Sequence, residues 1–331
     1  MSERELRICE FNVENLFISM DYYQGQDLTS LAEGAWRELA LVQLQRKQKP
    51  IAKVWGLAHA ILDIDPDILM LTEVGGRDSL VSFNQHFLND QFEVHFVEGN
   101  SRRNIDLAFL VKKGLPYQIE AHSNRDTPIE VNTYQGRYLS KFSRDVAELR
   151  LLQSPRSSDS NPEVHLILLL VHLKSKITSD QDFKGKDVRM AEAVALAGLY
   201  NERRVHYPET PILVGGDFNT DLASLELELL KRTDLQDFHD LLQTPEAERI
   251  SLVHFDYAGV AHPSVLDYLL ISPHLVDRVV GSGSGTYRYK GFYGIPEPLP
   301  QTPTARYQMP SDHYPLVLTV KFPDVLLKRV L

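Results

Sequence analysis

The sequence predicts an α+β protein in which strands outnumber helices. Short apolar runs recur along the whole chain, and turn residues bound most of them, which is the pattern of buried strands. Segments with helical periodicity and good helix formers fall between some of these runs. Apolar residues make up 43% of the 331-residue chain, which is enough for a sizeable core.

The predicted strands are the apolar runs that end at turn or charged residues. They cover residues 6–11, 68–72, 92–97, 107–111, 146–152, 164–173, 212–214, 265–271 and 316–321. The polar segment 154–162 lies between two of these strands, and we interpret it as the loop of a hairpin. It is not treated as a linker between domains, because polar clusters on both sides of it must converge to form one site. A single domain over residues 1–331 is therefore predicted.

Four segments have the periodicity of helices. Residues 188–204 combine apolar side chains at helical spacing with good helix formers. Residues 36–45 and 51–62 are predicted as two helices divided at Pro50, and residues 80–87 as a shorter one.

Segment 281–308 is rich in Gly, Pro and Tyr and has no regular pattern. Long irregular loops of this kind are often functional lids. Its aromatic residues either form such a lid or pack the loop onto the body of the protein; they are Tyr287, Tyr289, Phe292 and Tyr293.

Composition excludes several classes of protein. No stretch approaches the roughly 18 consecutive apolar residues that a membrane span needs, and the N-terminal residues lead straight into a predicted strand, without room for a secretory signal. The single cysteine, Cys9, excludes an internal disulfide and is interpreted as a small buried residue. A cytoplasmic protein is expected. The formal net charge of −10 disfavours nonspecific coating of nucleic acid, but it leaves open a nuclease with a local basic groove.

Polar clusters follow or interrupt several of the predicted strands. They are Asn12 with Glu14, Glu73, His172 with Lys174, Asp217 with Asn219, Asp267, and Asp312 with His313. Strand alternation places the members of the pairs 12/14, 172/174 and 217/219 on one face each. An acidic residue at the end of a buried strand needs a partner or a metal. Any one of them could be a turn residue or a helix cap, but the set is typical of a site that cuts phosphate esters.

The order of these clusters resembles that of the endonuclease/exonuclease/phosphatase superfamily, which includes pancreatic-type deoxyribonuclease, abasic-site endonucleases, sphingomyelinases and inositol polyphosphate phosphatases. The matching motifs are Phe-Asn-Val-Glu-Asn-Leu-Phe at 11–17, Glu73, Gly-Asp-Phe-Asn at 216–219, Leu-Asp-Tyr at 266–268 and Ser-Asp-His at 311–313. The first motif and His-Leu-Lys-Ser-Lys at 172–176 are similar to those of a bacterial, nuclease-like branch. Phe-Ser-Arg-Asp at 142–145 resembles the family's Arg-bearing segment.

This resemblance implies a four-layer α/β/β/α sandwich of two mixed β-sheets flanked by helices, with the site at the edge where strand ends meet. It also implies in-line attack of water on phosphorus, assisted by Mg²⁺ or Mn²⁺, which are hard cations that oxygen ligands suit. The candidate metal ligands are Glu73, Asn12, Glu14 and Asp312.

The same resemblance implies roles for the other site residues. His313, oriented by Asp267, would act as a base or as a charged clamp on the phosphate. Asp217 would position or activate water, and Asn219 would donate a hydrogen bond to a phosphoryl oxygen.

The leaving oxygen and the phosphate have candidate partners as well. His172 would stabilise or protonate the leaving oxygen, with Asp106 as a candidate to orient its ring. Arg144 and Lys174 would contact phosphate, as would Asn12.

Three functions stay open. A nuclease is favoured by the similarity to the nuclease-like branch. A phosphatase or phosphodiesterase acting on a small-molecule or lipid phosphoester is favoured by the net charge of −10 and by the lack of a long Lys/Arg tract. A binding scaffold that has lost the chemistry is disfavoured, because all the expected carboxylates and histidines are present. The expected substrate is a phosphoester, nucleic acid in the first case, and no obligate protein partner is evident. Segments 21–49 and 281–308 are expected to determine substrate choice.

Overall fold

Two six-stranded β-sheets packed face to face position every part of the site described below. The computed structural model describes residues 3–19, 48–153, 162–176, 182–291 and 293–323, together with residues 34, 35, 38 and 41. Helices cover the outer faces of both sheets. The predicted four-layer sandwich is therefore confirmed.

The first sheet is built around the N-terminal strand. In spatial order its strands are β15 (Val279–Thr286), β16 (Leu316–Pro323), β1 (Glu3–Leu16), β2 (Ile68–Val74), β4 (Asp106–Lys112) and β3 (Phe92–Val97). β1 and β2 are parallel, whereas the other neighbours are antiparallel. Because β16 runs against β1, its first residue lies at the same edge as the end of β1.

The second sheet has the same plan. In spatial order its strands are β11 (Gln236–Asp237), β14 (Asp267–Ile271), β10 (Ile212–Asp217), β9 (Glu163–His172), β8 (Val146–Gln153) and β5 (Gln118–Ser123). β9 and β10 are parallel, and β14 is antiparallel to β10. Two separate hairpins accompany the sheets, β6 (Pro128–Thr133) with β7 (Gly136–Lys141) and β12 (Leu252–Phe255) with β13 (Ala261–Ser264).

Three long helices and several short ones complete the described structure. The long ones are α1 (Ile51–Ile64), α2 (Arg77–Phe87) and α3 (Lys186–His206). The short ones are α4 (Glu228–Lys231), α5 (Phe238–Leu241), α6 (Glu246–Arg249), α7 (Pro273–Val276) and α8 (Pro303–Gln308). No helix in the described ranges is both long and apolar enough to cross a membrane.

The core of the described part of the chain consists of three apolar layers. The middle layer lies between the sheets and includes Ile8 from β1 and Leu168 from β9. One outer layer packs α1 and α2 on the first sheet, where Phe11 of β1 lies, and the other packs α3 on the second sheet. Alternation along β1 thus turns Ile8 inward and Phe11 outward, so Asn12 has the same orientation as Ile8 and lies on the inner face.

Every strand predicted from an apolar run is present, and β3 has the predicted bounds. The antiparallel pairing of β8 with β9, in which Gln153 lies opposite Glu163, confirms the hairpin, although its loop 154–161 lies outside the described residues. The predicted helix 36–45 also lies mostly outside them. Strands without a long apolar run were not predicted, among them β7, which is almost wholly exposed, and the Gly- and Ser-rich β15.

Candidate active site

The site lies at the edge where the carboxyl ends of β1, β2, β9 and β10 meet the amino ends of β14 and β16. Backbone pairing places Asp217 at the end of β10 beside both His172 of β9 and Asp267 of β14. Asn12 of the first sheet reaches across to the second and donates from Nδ2 to Asp217 Oδ2 at 3.1 Å. Residues from both sheets are therefore joined in one cluster.

Asp217 accepts more hydrogen bonds than the other carboxylates of the cluster. The backbone N–H of Asn219 donates to Asp217 Oδ1 at 2.8 Å, and Asn219 Nδ2 donates to Asp217 Oδ2 at 3.2 Å and to the Leu173 carbonyl at 3.1 Å. Asn219 holds a left-handed backbone conformation, with φ of 54°, in order to turn back in this way. Burial, followed by the nearby charge of Asp267, raises the pKa of Asp217 to about 7.

His313 and Asp267 form a buried ion pair. His313 Nδ1 lies 2.8 Å from Asp267 Oδ2, and His313 Nε2 lies 4.0 Å from Asp217 Oδ2 and 3.9 Å from Asp312 Oδ1. Burial alone would lower the pKa of His313, but the carboxylates of Asp267, Asp312 and Asp217 more than offset it and raise the pKa well above its ordinary value. The ring is therefore an imidazolium that donates from Nδ1 to Asp267 and presents Nε2–H to the cluster.

The backbone around His313 is held from several directions. Its N–H donates to Ser311 Oγ at 3.1 Å, and Ser311 Oγ donates to the Asn12 carbonyl at 2.7 Å. Tyr289 Oη donates to the His313 carbonyl at 2.5 Å. Tyr289 and Tyr287 thus pack the 281–308 segment onto the body, whereas Tyr293 is 85% exposed and Phe292 lies outside the described residues.

His172 differs from the cationic His313 in being neutral. Its Nε2 lies 3.6 Å from Asp217 Oδ2 and 3.9 Å from Glu73 Oε1. Burial and the neighbouring Arg144 lower its pKa well below the ordinary value, so the ring is neutral. Within the described residues, Nδ1 of His172 has no hydrogen-bond partner.

The expected contact between Asp106 and His172 is not formed. Asp106 accepts the N–H of Gly99 at 2.9 Å, and its neighbouring charges are Glu98 and Arg125. Asp106 is the first residue of β4 and precedes its apolar run instead of following it. Asp106 therefore supports the adjacent loop.

Glu73 faces the cluster from the first sheet. Its Oε2 accepts the N–H of Asn15 at 3.0 Å, which leaves Oε1 on the side of His172. Burial raises the pKa of Glu73. Glu73, Glu14 and Asn15 all have positive φ, of 63°, 47° and 53°, and residues held in this region cost roughly 1–3 kcal/mol and concentrate at functional sites.

A metal ion fits the donor chemistry of this cluster. Asp217, Asp267 and His313 each offer a ligand atom within 4.8 Å of the others, and Asp267 Oδ1 is buried without a hydrogen-bond partner among the described residues. Because His313 is a protonated donor to Asp267, the carboxylate oxygens, with Glu73 beside them, are the better ligands. Crowded carboxylates of this kind are stabilised by a divalent cation.

Two of the predicted metal ligands have other partners in the structure. Glu14 Oε2 accepts from Lys49 Nζ at 3.0 Å and from Lys53 Nζ at 2.8 Å. Asp312 is paired with Arg306. Their carboxylates are therefore already neutralised by cations, whereas Glu73 and Asp217 are not paired with a Lys or Arg side chain within the described ranges.

Arg144 and Lys174 lie side by side on the second sheet's side of the cluster. Arg144 is buried and donates from Nη1 to the Leu173 carbonyl at 3.3 Å. Burial lowers the pKa of both side chains, and repulsion from Arg144 lowers the pKa of Lys174 further. Lys174 forms no ion pair with the described residues, so its ammonium is available to an anion.

Two residues of α3 that hold these segments were not predicted. Glu192 accepts the N–H of Ser143 at Oε1 and the N–H of Lys174 at Oε2, both at 2.7 Å. Arg189 Nη1 donates to the Lys174 carbonyl at 2.8 Å. Arg189 and Glu192 are charged residues on the buried face of a helix, and this pattern in the sequence could have identified them.

A further carboxyl group, Glu10, lies behind the cluster. It shares the inner face of β1 with Asn12, is fully buried, and neither carboxyl oxygen has a hydrogen-bond partner among the described residues. Burial, with the charges of Asp267 and Asp217, raises its pKa well above the ordinary value. An acidic residue inside an apolar strand was the signal available in the sequence.

Known proteins with the same architecture support the family assignment. A model of the endonuclease/exonuclease/phosphatase family matches residues 51–313. No curated protein sequence matches the chain. Similar solved structures include truncated TDP2 of Caenorhabditis elegans, which is 18% identical with a TM-score of 0.55 over 96% of this chain and 97% of that one.

Two other solved structures share the fold at comparable distance. The human Nocturnin catalytic domain with bound sulfate is 14% identical, with a TM-score of 0.52 over 96% of this chain and 93% of that one. An endonuclease/exonuclease/phosphatase family protein of Bacteroides thetaiotaomicron is 14% identical, with a TM-score of 0.53 over 97% of this chain and 99% of that one. With the family model covering most of its length, the chain belongs to the endonuclease/exonuclease/phosphatase family, whose members are metal-dependent phosphoester hydrolases.

Proposed function

We propose that this protein is a nuclease that hydrolyses phosphodiester bonds with the help of Mg²⁺ or Mn²⁺. The observation that carries the proposal is the His313–Asp267 ion pair, whose free Nε2 lies 4.0 Å from Asp217. A cationic donor and a carboxylate thus lie side by side at the same edge, where one can contact a phosphoryl oxygen and the other an attacking water.

Asp217 is the group that would orient the water and accept its proton. Asn12 and Asn219 hold its two oxygens in place, and its pKa of about 7 suits a general base near neutral pH. Asn219 Nδ2 already donates to two acceptors, so its role is to position Asp217, which differs from the expected contact with the substrate.

Two roles were predicted for His313, a base and a charged clamp on the phosphate, and we propose the clamp. As an imidazolium it would donate from Nε2 to a phosphoryl oxygen while charge develops there. The neutral His172 would donate to the leaving oxygen, and Arg144 and Lys174 would contact the phosphate on the same side.

The carboxylate of Glu73 would hold the metal ion, whereas Asn12 already donates from Nδ2 to Asp217 and accepts the N–H of Glu14 at Oδ1. When bound, Mg²⁺ or Mn²⁺ would supply positive charge that offsets the phosphate and the carboxylates. Glu14 and Asp312 are weaker ligands, because Lys49, Lys53 and Arg306 already pair with them.

We also propose that residues 1–331 form one domain in the cytoplasm. The pairing of β1 with β16 joins the two ends of the described chain, since Glu3 lies opposite Pro323. The only cysteine, Cys9, is buried and free, which suits a reducing compartment.

The test is hydrolysis of a substrate panel with Mg²⁺ or Mn²⁺. The panel contains plasmid DNA, single-stranded DNA, RNA, bis-p-nitrophenyl phosphate and p-nitrophenyl phosphate. We expect cleavage of a nucleic acid that falls by about 10²-fold or more in His313→Ala and in Asp217→Asn. His206→Ala, an exposed histidine at the end of α3, is the matched control and should retain full activity.

Each other outcome selects a different function. Activity confined to the small esters would replace the nuclease with a small-molecule or lipid phosphoesterase, which the net charge of −10 favours. Hydrolysis of no substrate by the metal-loaded wild type would identify a binding scaffold. Undiminished cleavage by His313→Ala would refute the mechanism.

A further inference from the structure

A cavity of about 440 Å³ opens beside the catalytic cluster. Its lining residues are Glu14, Pro303, Thr304, Arg306 and Tyr307. Two of its walls continue from the cluster, because Glu14 follows Asn12 on β1 and Arg306 is paired with Asp312, the residue before His313. Pockets that hold small organic ligands are typically about 300–1,000 Å³.

The carboxylates at the mouth of this cavity are neutralised. Glu14 accepts from two ammonium groups, those of Lys49 and Lys53, and Asp312 is paired with Arg306. Of these five charged side chains only Glu14 and Arg306 line the cavity, and the three cations and two carboxylates together carry a net positive charge. An anionic substrate that extends from the catalytic cluster therefore meets no net repulsion here, in contrast to the acidic chain as a whole.

The ring of Tyr307 lines this cavity, and Lys53 and Glu14 fix its position. Lys53 Nζ lies 5.0 Å from the ring centroid, and the same Nζ is held at 2.8 Å by Glu14. Lys53 itself is only 9% exposed, whereas Tyr307 is 70% exposed. One face of an aromatic ring is thus fixed from behind by a buried cation while much of the ring stays open to solvent.

We propose that this cavity is a subsite for the nucleoside attached to the scissile phosphate, with its base stacked on Tyr307. Flat nucleobases stack on exposed aromatic side chains irrespective of sequence, and a lipid acyl chain or a simple alkyl group offers no such partner. This inference rests on the proposed function as a nuclease. Glu14 and Asp312 then have a structural role, because their carboxylates anchor the two sides of the cavity.

The test compares two phosphodiesters that have the same leaving group. These are thymidine p-nitrophenyl phosphate, prepared as the ester of either sugar hydroxyl, and methyl p-nitrophenyl phosphate. The quantity measured is the ratio of kcat/KM for the nucleoside ester to kcat/KM for the methyl ester. We expect this ratio to exceed one in the wild type and to fall in Tyr307→Ala by about 5- to 150-fold, which corresponds to the loss of one base stack.

Two variants control for folding and for general effects of exposed aromatics. Tyr307→Phe keeps the ring and should keep the ratio. Tyr134→Ala, at the turn of the β6–β7 hairpin, removes a ring that is 82% exposed but lies outside this cavity, and it should leave the ratio unchanged. Calorimetric titration with thymidine monophosphate should show weaker binding to Tyr307→Ala by a similar factor.

Failure of the subsite and failure of the nuclease give different results. A wild-type enzyme that prefers the nucleoside ester, with the ratio unchanged in Tyr307→Ala, would place the nucleoside elsewhere and overturn the subsite alone. Hydrolysis of the methyl ester without preference for either nucleoside ester would also overturn it, and would favour a small-molecule phosphoesterase. No hydrolysis of any ester by the metal-loaded wild type would overturn the proposed function and the subsite together.

Discussion

Replacing Glu192 with Gln removes one of the two carboxylate oxygens that hold the phosphate-binding segments together. In the structure Oε1 accepts from Ser143 and Oε2 accepts from Lys174, both at 2.7 Å, and the side chain is 1% exposed. Gln fills the same volume but offers one acceptor oxygen. Its amide nitrogen must therefore face one of the two backbone N–H groups, donor against donor.

The expected loss follows from this geometry. A hydrogen bond to a charged group contributes about 1.5–3 kcal/mol net, and a buried donor left without a partner adds a cost of its own. We expect Glu192→Gln to lower the free energy of unfolding by about 2–4 kcal/mol. Lys174 and the adjacent Arg144 then lose their fixed positions, so KM should rise by about tenfold, equivalent to 1.4 kcal/mol, while kcat changes less.

Urea denaturation measures the first effect and steady-state kinetics on the best substrate of the panel measures the second. Glu202→Gln is the matched control on the same helix, because Glu202 is 52% exposed and pairs with Arg203 at 3.1 Å; it should change stability by less than about 1 kcal/mol. A Glu192→Gln variant with wild-type stability would refute the importance of the two hydrogen bonds. Reduced stability with an unchanged KM would refute the positioning role and leave a structural one.

The remaining predictions concern the metal, a close backbone contact and pH. Mg²⁺ or Mn²⁺ should raise the midpoint of thermal unfolding of the wild type, and Glu73→Gln should lose most of this shift, as measured by differential scanning fluorimetry; an equal shift in the variant would exclude Glu73 as a ligand. Gly216→Ala would place a Cβ 1.9 Å from the Val171 carbonyl oxygen, at a φ of 139°. It should lower the free energy of unfolding, measured in urea, by about 3 kcal/mol or more. Gly198→Ala is the control, because the space around Gly198 on α3 is open; it should be neutral or stabilising by about 1 kcal/mol. Burial, helped by Arg249, lowers the pKa of His239 from 6.5 to about 4, so the unfolded chain binds a proton in this range that the folded chain does not. The contribution of His239 to the free energy of unfolding, measured as the difference between the wild type and His239→Gln, should therefore fall by on the order of 3 kcal/mol as the pH falls from 6.5 to 4; a His239→Gln variant with the same pH slope would contradict this.

The strands and most of the site residues were predictable because their signals are local. β1, β9 and β10 are buried on both faces, which requires a continuous apolar run that is visible in the sequence. A polar residue that directly follows such a run must lie at a sheet edge. This reasoning predicted Asp217 and His172, and the structure brings both into the cluster.

Elements whose residues are exposed or small leave weaker signals. β7 has almost no buried residue and β15 alternates Gly with Ser, so neither has an apolar face in the sequence. The aromatic residues of segment 281–308 could equally have faced solvent or the core. Burial of Tyr289 under the first sheet, with its hydroxyl on the His313 carbonyl, depends on contacts with residues far away in the chain.

The sequence by itself determined the α+β class, the main strands and the set of polar groups at one edge. Only the tertiary structure decided which of these groups are neutralised and which stay available. Glu14 and Glu73 look alike in the sequence, yet two lysines pair with Glu14, while Glu73 faces His172. The physical reason is that a strand's pattern depends on its own alternation, whereas the charge state and partner of a carboxylate depend on side chains that distant elements bring within a few ångströms.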